Sequence, residues 1–438
     1  MKEDVLPEGW EYKSILSLIP KDGIISDGDW IESKDQDVNG DVRLIQLADI
    51  GDGEFKNKSR RYLTSEKAKE LNCTYLKPND ILIARMPDPI GRACVFPEIG
   101  QKSVTAVDIC IIRLGERPVI LAELLVYWVN SSFIRNQMNS EATGTTRKRI
   151  TRKKLEQFKI PLPPLPEQQY LSQKLTALLD EVAQTKQRLE AIPALLKQFR
   201  QSVLADAVSG RLTEEWRENN ELSLSDWIQS NVGNIAKVET GKTPSRKNQE
   251  YWENGYIPWL TSSCTGLPYV NFADEFVTDL AVKECGLKIF NKNTLLLAMY
   301  GEGKTRGQVT ELKLSATCNQ ACAAITANNN LINNQYLKLS LLKNYDEIRK
   351  SASGGNQPNL NLTKVREIKI HLPSLKEQTQ IVQKVETYFA LADEIETQVN
   401  AALENVNLLT QSILAKAFSG ELSATWRNSQ VRETQGKV

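Results

Sequence analysis

Two stretches of the chain place apolar residues at alternating spacings of three and four, with polar residues between them. The first begins near Leu171 and the second near Ile381. This spacing predicts two long amphipathic helices, each with one apolar seam. At ~1.5 Å per residue, about 40 residues give a rod of ~55–60 Å. The seam positions that we expect to pack together or to dock a partner are Leu171, Leu175, Leu178, Val182, Leu196, Phe199, Ile381, Val385, Ile395, Val406, Leu409 and Ile413.

The two helical stretches are copies of one segment. Residues 160–217 and 370–427 align without a gap, and 19 of the 58 positions are identical, most of them at the two ends. Each copy opens with prolines, which suit the first turn of a helix, and we expect each helix to end at a Ser-Gly pair, before Gly210 and Gly420. Pro193 predicts a kink or a short break in the first helix. Matching seams favour antiparallel pairing of the helices; the alternative is that each helix packs only on its neighbouring domain.

The remaining parts of the chain show short strand-like runs. Both begin with a Trp-containing opener, at Trp10 and at Trp227, and both continue with runs such as "DILIARM" and "NTLLLAMYG". Each ends in a helical stretch and a loop of small residues, within "EATGTTRKRI" and "SASGGNQPNLNL". We therefore predict four segments: a first globular domain at 1–159, a helical region at 160–217, a second globular domain at 218–369 and a helical region at 370–438.

Composition narrows the function classes. The 438 residues carry a net charge of +1, with 41% hydrophobic and 25% charged residues, which is ordinary for a globular protein. Near neutrality argues against a uniformly basic nucleic-acid coat but allows a local basic face. We expect no membrane span and no signal peptide, since long apolar runs are absent. Seven scattered cysteines predict reduced thiols and a cytoplasmic location. The single histidine, His371, leaves almost nothing for a His-based metal site or triad.

Catalytic motifs are incomplete. The stretches "ETGKTPS" and "GEGKT" end like phosphate-binding loops, but Ala236 and Ala298 stand where the first glycine is required. Methyltransferase and dinucleotide-binding motifs are absent, and Cys318 and Cys322 lack a second pair of zinc ligands. The sequence therefore predicts no catalytic and no metal-ligating residue.

Basic residues gather on loops. Six of them lie within residues 147–154, with no acidic residue among them. Lys and Arg neutralise phosphates and Arg reads guanine edges, so we predict DNA binding; the alternative is ordinary solvated charge. The candidate DNA-binding residues are Arg85, Arg92, Arg147, Lys148, Arg149, Arg152 and Lys153 in the first domain, and Lys242, Arg246, Lys247, Lys304 and Arg306 in the second. The nearby Tyr251, Trp252 and Trp259 are expected in the core.

Several of these stretches resemble one family. The boxes "LPPLPEQ" and "LPSLKEQ", and above all "LTQSILAKAFSGELSATWR", resemble the conserved regions of specificity subunits of type I restriction-modification enzymes. The stretches "GKTPSRKNQEYWENGYIPWL" and "NDILIARMPDPIGR" resemble parts of their target recognition domains. The resemblance covers nearly the whole chain.

The resemblance implies an α+β fold, in which two mixed, β-rich target recognition domains are separated by two long antiparallel coiled-coil helices with pseudo-twofold symmetry. Each domain would bind one half of a bipartite, asymmetric site in double-stranded DNA, and the helices would set the gap. Two methylation subunits would dock on the helices and use S-adenosylmethionine. Two restriction subunits would use ATP and Mg. The chain itself would bind no cofactor, catalyse no reaction and contact no membrane.

Three alternatives stay open from the sequence. The first is a specificity subunit of a related type II-like system, in which one fused partner both methylates and cuts. The second is a coiled-coil scaffold whose globular domains bind proteins. The third is a self-sufficient nuclease or methyltransferase.

Overall fold

The structure is a computed structural model that describes residues 6–87, 89–144, 147–301, 304–351 and 360–435. The chain divides into two compact units, residues 1–190 with 401–438, and residues 191–400. Each unit therefore holds one globular part and a portion of both long helices. The predicted small-residue loops fall partly outside the described residues, at 145–146 and at 352–359.

The globular part of the first unit contains small sheets and short helices. Its strands are β1 (Glu11–Ser14), β2 (Ile24–Asp27), β3 (Val42–Ile45), β4 (Tyr62–Leu63), β5 (Ile81–Ala84), β6 (Ala93–Val95), β7 (Ser103–Thr105), β8 (Ile109–Arg113) and β9 (Lys159–Leu162), and its helices are α1 (Ser65–Glu70), α2 (Ala122–Val129), α3 (Ser132–Glu141) and α4 (Arg152–Leu155). One sheet has the order β2-β8-β5-β6 and a second has the order β4-β3-β7. Strands β1 and β9 form an antiparallel ribbon that joins the opener to the first long helix.

The second unit repeats this construction. Between the long helices α5 (Leu165–Ser209) and α12 (Leu375–Phe418) lie the helices α6 (Glu214–Asn219), α7 (Val232–Ile235), α8 (Asp279–Cys285), α9 (Asn334–Lys343), α10 (Tyr345–Ser351) and α11 (Leu362–Arg366), and the strands β10 (Ile228–Asn231), β11 (Ala236–Thr240), β12 (Ile257–Leu260), β13 (Tyr269–Val270), β14 (Glu275–Val277), β15 (Leu295–Ala298), β16 (Val309–Leu312), β17 (Thr317–Cys318), β18 (Cys322–Ala327) and β19 (Lys369–Leu372). The sheet orders are β11-β18-β15-β16-β13 and β14-β12-β17, with a β10–β19 ribbon. Helix α13 (Ala424–Gln435) follows α12.

The central strands read as continuous apolar runs because both of their faces are covered. In β5, Ile81 and Ile83 contribute to the core that contains the long helices, whereas Leu82 and Ala84 face a smaller core on the other side. Successive side chains of a strand point to opposite faces, so a strand between two cores needs apolar residues at every position. The β15 strand is divided between two cores in the same way.

The long helices pair in antiparallel fashion within each unit. In the first unit, Leu175 near the start of α5 shares a core with Ala417 near the end of α12. In the second unit, Ala207 near the end of α5 shares a core with Ile381 near the start of α12. Both cores also include residues of the globular part. The helices therefore pack on each other and on the neighbouring domain, and packing on the domain alone was the wrong alternative.

The predicted helix ends are confirmed. Gly210 and Gly420 follow α5 and α12 with φ of +83° and +78°, the left-handed conformation that commonly ends a helix. Helix α5 continues through Pro193 without interruption, so the predicted break is absent. A kink at Pro193 stays a prediction. No helix within the described part of the chain is long and apolar enough to span a bilayer.

Candidate nucleic-acid interface

Two of the predicted basic segments of the first domain meet in space. The backbone N–H of Ile150 donates to the carbonyl of Arg85 at 3.0 Å, which joins the loop after β5 to the segment before α4. The guanidinium groups of Arg85 and Arg149 both donate to the carbonyl oxygen of Val107. Each also faces a carboxylate, Arg85 facing Asp27 at 3.1 Å and Arg149 facing Asp108 at 3.5 Å. The fold therefore gathers these loops around β8.

Arg85 itself holds this junction together. Its side chain is 3% exposed, and burial lowers the pKa of Arg85, although Asp27 acts in the opposite direction. The guanidinium bonds a carbonyl and a carboxylate inside the protein, and its burial keeps it away from a phosphate at the surface. We therefore describe Arg85 as a residue that positions the loops. Arg92, half-buried just before β6, borders the same loop, and its Nε has no hydrogen-bond partner within the described part of the chain.

In the cluster at 147–154, three basic side chains contact other protein groups and three are exposed. Arg149 is tied as described, Arg152 Nε lies 3.0 Å from Glu156 Oε1, and Lys154 Nζ donates to the carbonyl of Glu141 at 2.5 Å. The other three basic side chains, those of Arg147, Lys148 and Lys153, are exposed. DNA contact stays a prediction for the whole cluster, and these exposed residues fit it best.

In the second domain, an aromatic box fixes Arg246. The guanidinium carbon lies 3.8 Å from the ring centre of Trp252 and 4.9 Å from that of Trp259, and Nη2 is 2.6 Å from Glu275 Oε2. The indole N–H groups of Trp252 and Trp259 donate to the carbonyls of Ser245 and Lys242, at 3.1 and 3.0 Å. Yet the Arg246 side chain remains 53% exposed. The loop is therefore rigid, and both tryptophans pack against it.

The neighbouring cations line a surface groove. Its volume is about 610 Å³, and its basic residues are Lys237, Lys242, Lys288 and Arg366. The Glu239 carboxylate forms ion pairs with Lys237 Nζ at 3.0 Å and with Lys288 Nζ at 2.5 Å. These two lysines lower the pKa of Glu239. Lys242 Nζ donates to the carbonyl of Cys285 at 3.1 Å. The groove keeps an excess of positive charge beside the 242–247 loop, where Lys247 is also exposed.

The hairpin after β15 presents the last two predicted residues. Tyr345 and Arg349 of α10 donate to the carbonyls of Lys304 and Arg306, at 2.6 and 2.9 Å, so the hairpin backbone is anchored. The Lys304 side chain is exposed and that of Arg306 is half-buried. Gly307 and Gly91 occupy matching positions, because each donates at 2.8 Å to the carbonyl of the last residue of the preceding strand, with φ of +85° and +83°. Both domains therefore build this hairpin in the same way.

The predicted helix seam divides into buried and exposed members. Six of its members are buried: Leu171, Leu175, Leu196, Ile381, Val385 and Ile413. Leu178, Val182, Ile395 and Val406 are half-buried, whereas Phe199 and Leu409 are exposed. Further apolar side chains are exposed on the same helices, with Leu195 60% and Leu408 69% exposed. Phe199 packs edge-to-face on Tyr388, with ring centres 6.1 Å apart.

Sequence reasoning missed a pair of buried clamps. In the second unit, Glu377 accepts from Arg217 Nη1 at 2.6 Å, Thr213 Oγ1 at 2.7 Å and Trp227 Nε1 at 2.9 Å. In the first unit, Glu167 accepts from Trp10 Nε1 at 2.9 Å and from Arg427 Nη1. In both units, the arginine also lies 5.7 Å from the ring centre of the tryptophan. The sequence does hold a signal for these contacts, because the Glu and the Arg occupy equivalent positions in the two helical copies and a tryptophan begins each globular domain.

The comparison with protein-family models decides the family. A model described as the type I restriction modification DNA specificity domain matches residues 7–194 and 224–405. The chain belongs to the type I specificity-subunit family. Among relatives of this family, the StySPI specificity subunit of Salmonella potsdam is 31% identical, with 100% of this chain and 94% of the relative covered. The EcoKI specificity subunit of Escherichia coli K12 is also 31% identical, with 98% and 92% covered.

Two solved structures share the fold. A chain described in work on complex assembly and conformational transition of the type I R-M system matches with a TM-score of 0.70 and 17% identity, over 94% of this chain and 98% of that one. The HsdS subunit from Thermoanaerobacter tengcongensis matches with a TM-score of 0.60 and 18% identity, over 96% and 99%. The α+β class expected of a specificity subunit, with paired long helices, is therefore confirmed.

Proposed function

We propose that each unit of this specificity subunit binds one half of a bipartite, asymmetric site in double-stranded DNA. One observation carries the proposal: the two globular parts have matching strand orders, apart from the additional strand β13 in the second, but different loop chemistry. The loop between β11 and β12 carries Lys242, Arg246 and Lys247, whereas the matching loop between β2 and β3 carries Trp30, Glu32 and several aspartates. Readers with one frame and different loops should recognise different half-sites.

We further propose that the paired helices set the gap between half-sites and dock two methylation subunits. The exposed apolar residues on α5 and α12 support docking, because large apolar side chains on a helix surface are typical of protein interfaces. Two restriction subunits would complete the assembly. The chain would be non-catalytic and bind no cofactor, with S-adenosylmethionine, ATP and Mg held by its partners. All seven cysteines are free thiols, in keeping with the reducing cytoplasm.

A co-expression experiment tests this function. Methylation subunits from the same operon are expressed with and without this chain, and adenine methylation is mapped across the host genome. The expected result is methylation at one bipartite motif, only when the chain is present. Methylation by this chain alone would support a self-sufficient methyltransferase. The same motif in its absence would remove the specificity role. A partner that both methylates and cuts would favour the type II-like alternative.

A further inference from the structure

A second exposed basic surface lies in the first unit, outside the loops discussed so far. It is the 56–61 loop, which connects the turn after β3 to β4. Its four basic residues, Lys56, Lys58, Arg60 and Arg61, are all exposed.

A buried carboxylate fixes the backbone of this loop. Asp49 is fully buried and accepts from the backbone N–H groups of Lys58 at 2.7 Å and Ser59 at 2.8 Å, and from the Ser59 hydroxyl. The buried Arg43 donates to the carbonyl of Ser59 at 2.8 Å and lies 3.5 Å from Asp49. Asn57 adopts φ of +50°, which turns the chain between the first two cations. The loop is therefore ordered before any partner binds, which lowers the entropy cost of binding.

The charges of this loop are largely unneutralised. Among the described residues, only Lys56 has a carboxylate within 4.0 Å, that of Glu54 at 3.9 Å. Arg60 Nη1 bonds the carbonyls of Asn57 and Ser59 in its own loop, both at 3.0 Å, and Arg61 Nη1 lies 3.4 Å from the neutral Gln36 Oε1. Beneath the loop, the positive charge of the buried Arg43 is balanced by the negative charge of the buried Asp49. A rigid loop with four exposed cations suits a polyanion.

The loop is bonded to a segment that already carries a candidate DNA residue. The turn that precedes it reaches β6, where Gly53 N–H donates to the carbonyl of Ala93 at 2.9 Å, beside Arg92. Lys56 N–H donates to the carbonyl of Asp49 at 2.8 Å, so the turn and the loop form one structure. The 56–61 loop thus adjoins the hairpin whose other end meets the 147–150 segment.

The second unit places different chemistry at the matching position. Its segment between β12 and β14 exposes Leu267, Tyr269 and Phe272, the last at 66%, and contains no basic residue. Its basic residues lie instead between β11 and β12, where the first unit is acidic. The basic loop beside the second sheet is therefore the one between β3 and β4 in the first unit and the one between β11 and β12 in the second unit.

We propose that the 56–61 loop is a phosphate-binding surface through which the first unit holds the DNA backbone. This inference rests on the proposed function. Lys58 and Arg61 provide the contacts, and Asp49 with Arg43 keeps them in place. Because phosphate contacts carry no base information, the loop contributes affinity and register, not the identity of the half-site.

The test compares two doubly substituted full-length chains with the same charge change. Lys58→Ala/Arg61→Ala removes one Lys and one Arg from the loop. Lys21→Ala/Arg117→Ala removes the same residue types from exposed positions elsewhere in the first unit. Each chain, co-purified with its methylation subunits, is titrated by fluorescence anisotropy with a labelled 45-base-pair duplex of mixed sequence between 50 and 200 mM NaCl.

Loss of two phosphate contacts should reduce the slope of log affinity against log salt by about 1.8, and weaken binding by about 10- to 60-fold at 100 mM NaCl. The control should keep the wild-type slope. Equal behaviour of the two variants, with salt-dependent wild-type binding, would overturn the loop assignment and leave the proposed function intact. Wild-type binding that does not respond to salt would overturn both. Unchanged DNA affinity with loss of methylation subunits would assign the loop to an acidic protein partner instead.

Discussion

The buried clamps allow a sharp test of how each unit is held together. Glu377 joins three distant segments, because its donors are Arg217 and Thr213, which follow α5, and Trp227 at the start of the globular part. Replacing Glu377 with Gln keeps the shape but leaves the Arg217 guanidinium, 7% exposed, without its counter-ion. Breaking a buried ion pair from one side costs about 3–5 kcal/mol. We expect Glu377→Gln to destabilise the second unit by this amount.

The first unit provides a twin and α12 provides a control. At Glu167 the partner Arg427 is 21% exposed, so water can partly solvate it, and Glu167→Gln should cost about 1.5–3 kcal/mol, the range for one hydrogen bond to a charged group. Glu386 lies exposed on α12, and Glu386→Gln should change stability by less than about 0.5 kcal/mol.

Hydrogen exchange measures these effects separately, because a chain with two compact units need not unfold in one step. Glu377→Gln should lower the opening free energy of the β10–β19 ribbon and leave the β1–β9 ribbon unchanged. Glu167→Gln should do the reverse. If Glu377→Gln behaves like Glu386→Gln, or if both ribbons loosen equally in either variant, then the clamps do not stabilise the units as argued.

Three further predictions concern exposed side chains and one carboxyl group with a raised pKa. Arg147→Ala/Lys148→Ala should reduce the salt slope of DNA binding by about 1.8 without changing the melting temperature, whereas Arg149→Ala should lower the melting temperature because Arg149 bonds Val107. Leu195→Ser/Phe199→Ser should reduce the yield of co-purified methylation subunits by more than tenfold, and Lys197→Ser should not; equal yields would exclude this surface. Burial raises the pKa of Asp29 to about 6, so the folded state binds this proton more tightly than the unfolded state and its contribution to stability is lost as pH rises from about 4 to 6. Asp29→Asn should therefore raise the melting temperature at pH 8 more than at pH 5. An equal rise at both pH values would show that the pKa of Asp29 is not raised by folding.

Much of the frame could be predicted because its signals are local. The spacing of Leu171 and Leu175 reports a helix face, and the Ser-Gly pairs report helix ends. The strand-like runs that we matched between the two domains became β5 and β15, and each lies between two cores. Such patterns depend on neighbours in sequence, so one chain suffices to read them.

The candidate site could be predicted only in part, because burial of a charge depends on distant partners. Arg85 looked like a surface cation in a Pro- and Gly-rich loop, yet Asp27 on β2 and the carbonyl of Val107 bury it. Glu167 lies in the first turn of α5, and its partners Trp10 and Arg427 are distant in sequence.

For Phe199 and Leu409 the error is the opposite one, because residues expected to be covered are exposed. They keep the seam spacing but are exposed, whereas the adjacent seam residues Leu196 and Ile413 are buried. The periodicity of a helix shows which face is apolar, and it does not show how much of that face is covered.

If each unit reads its own half of a bipartite site, exchanging one globular domain should change only one half of the motif. Residues 1–159 are replaced by the matching domain of another family member, and adenine methylation is mapped by sequencing in cells that express both chains with their methylation subunits. We expect one half of the methylated motif to change, while the other half and the gap between them stay the same. A change in both halves, or no change in either, would contradict this expectation.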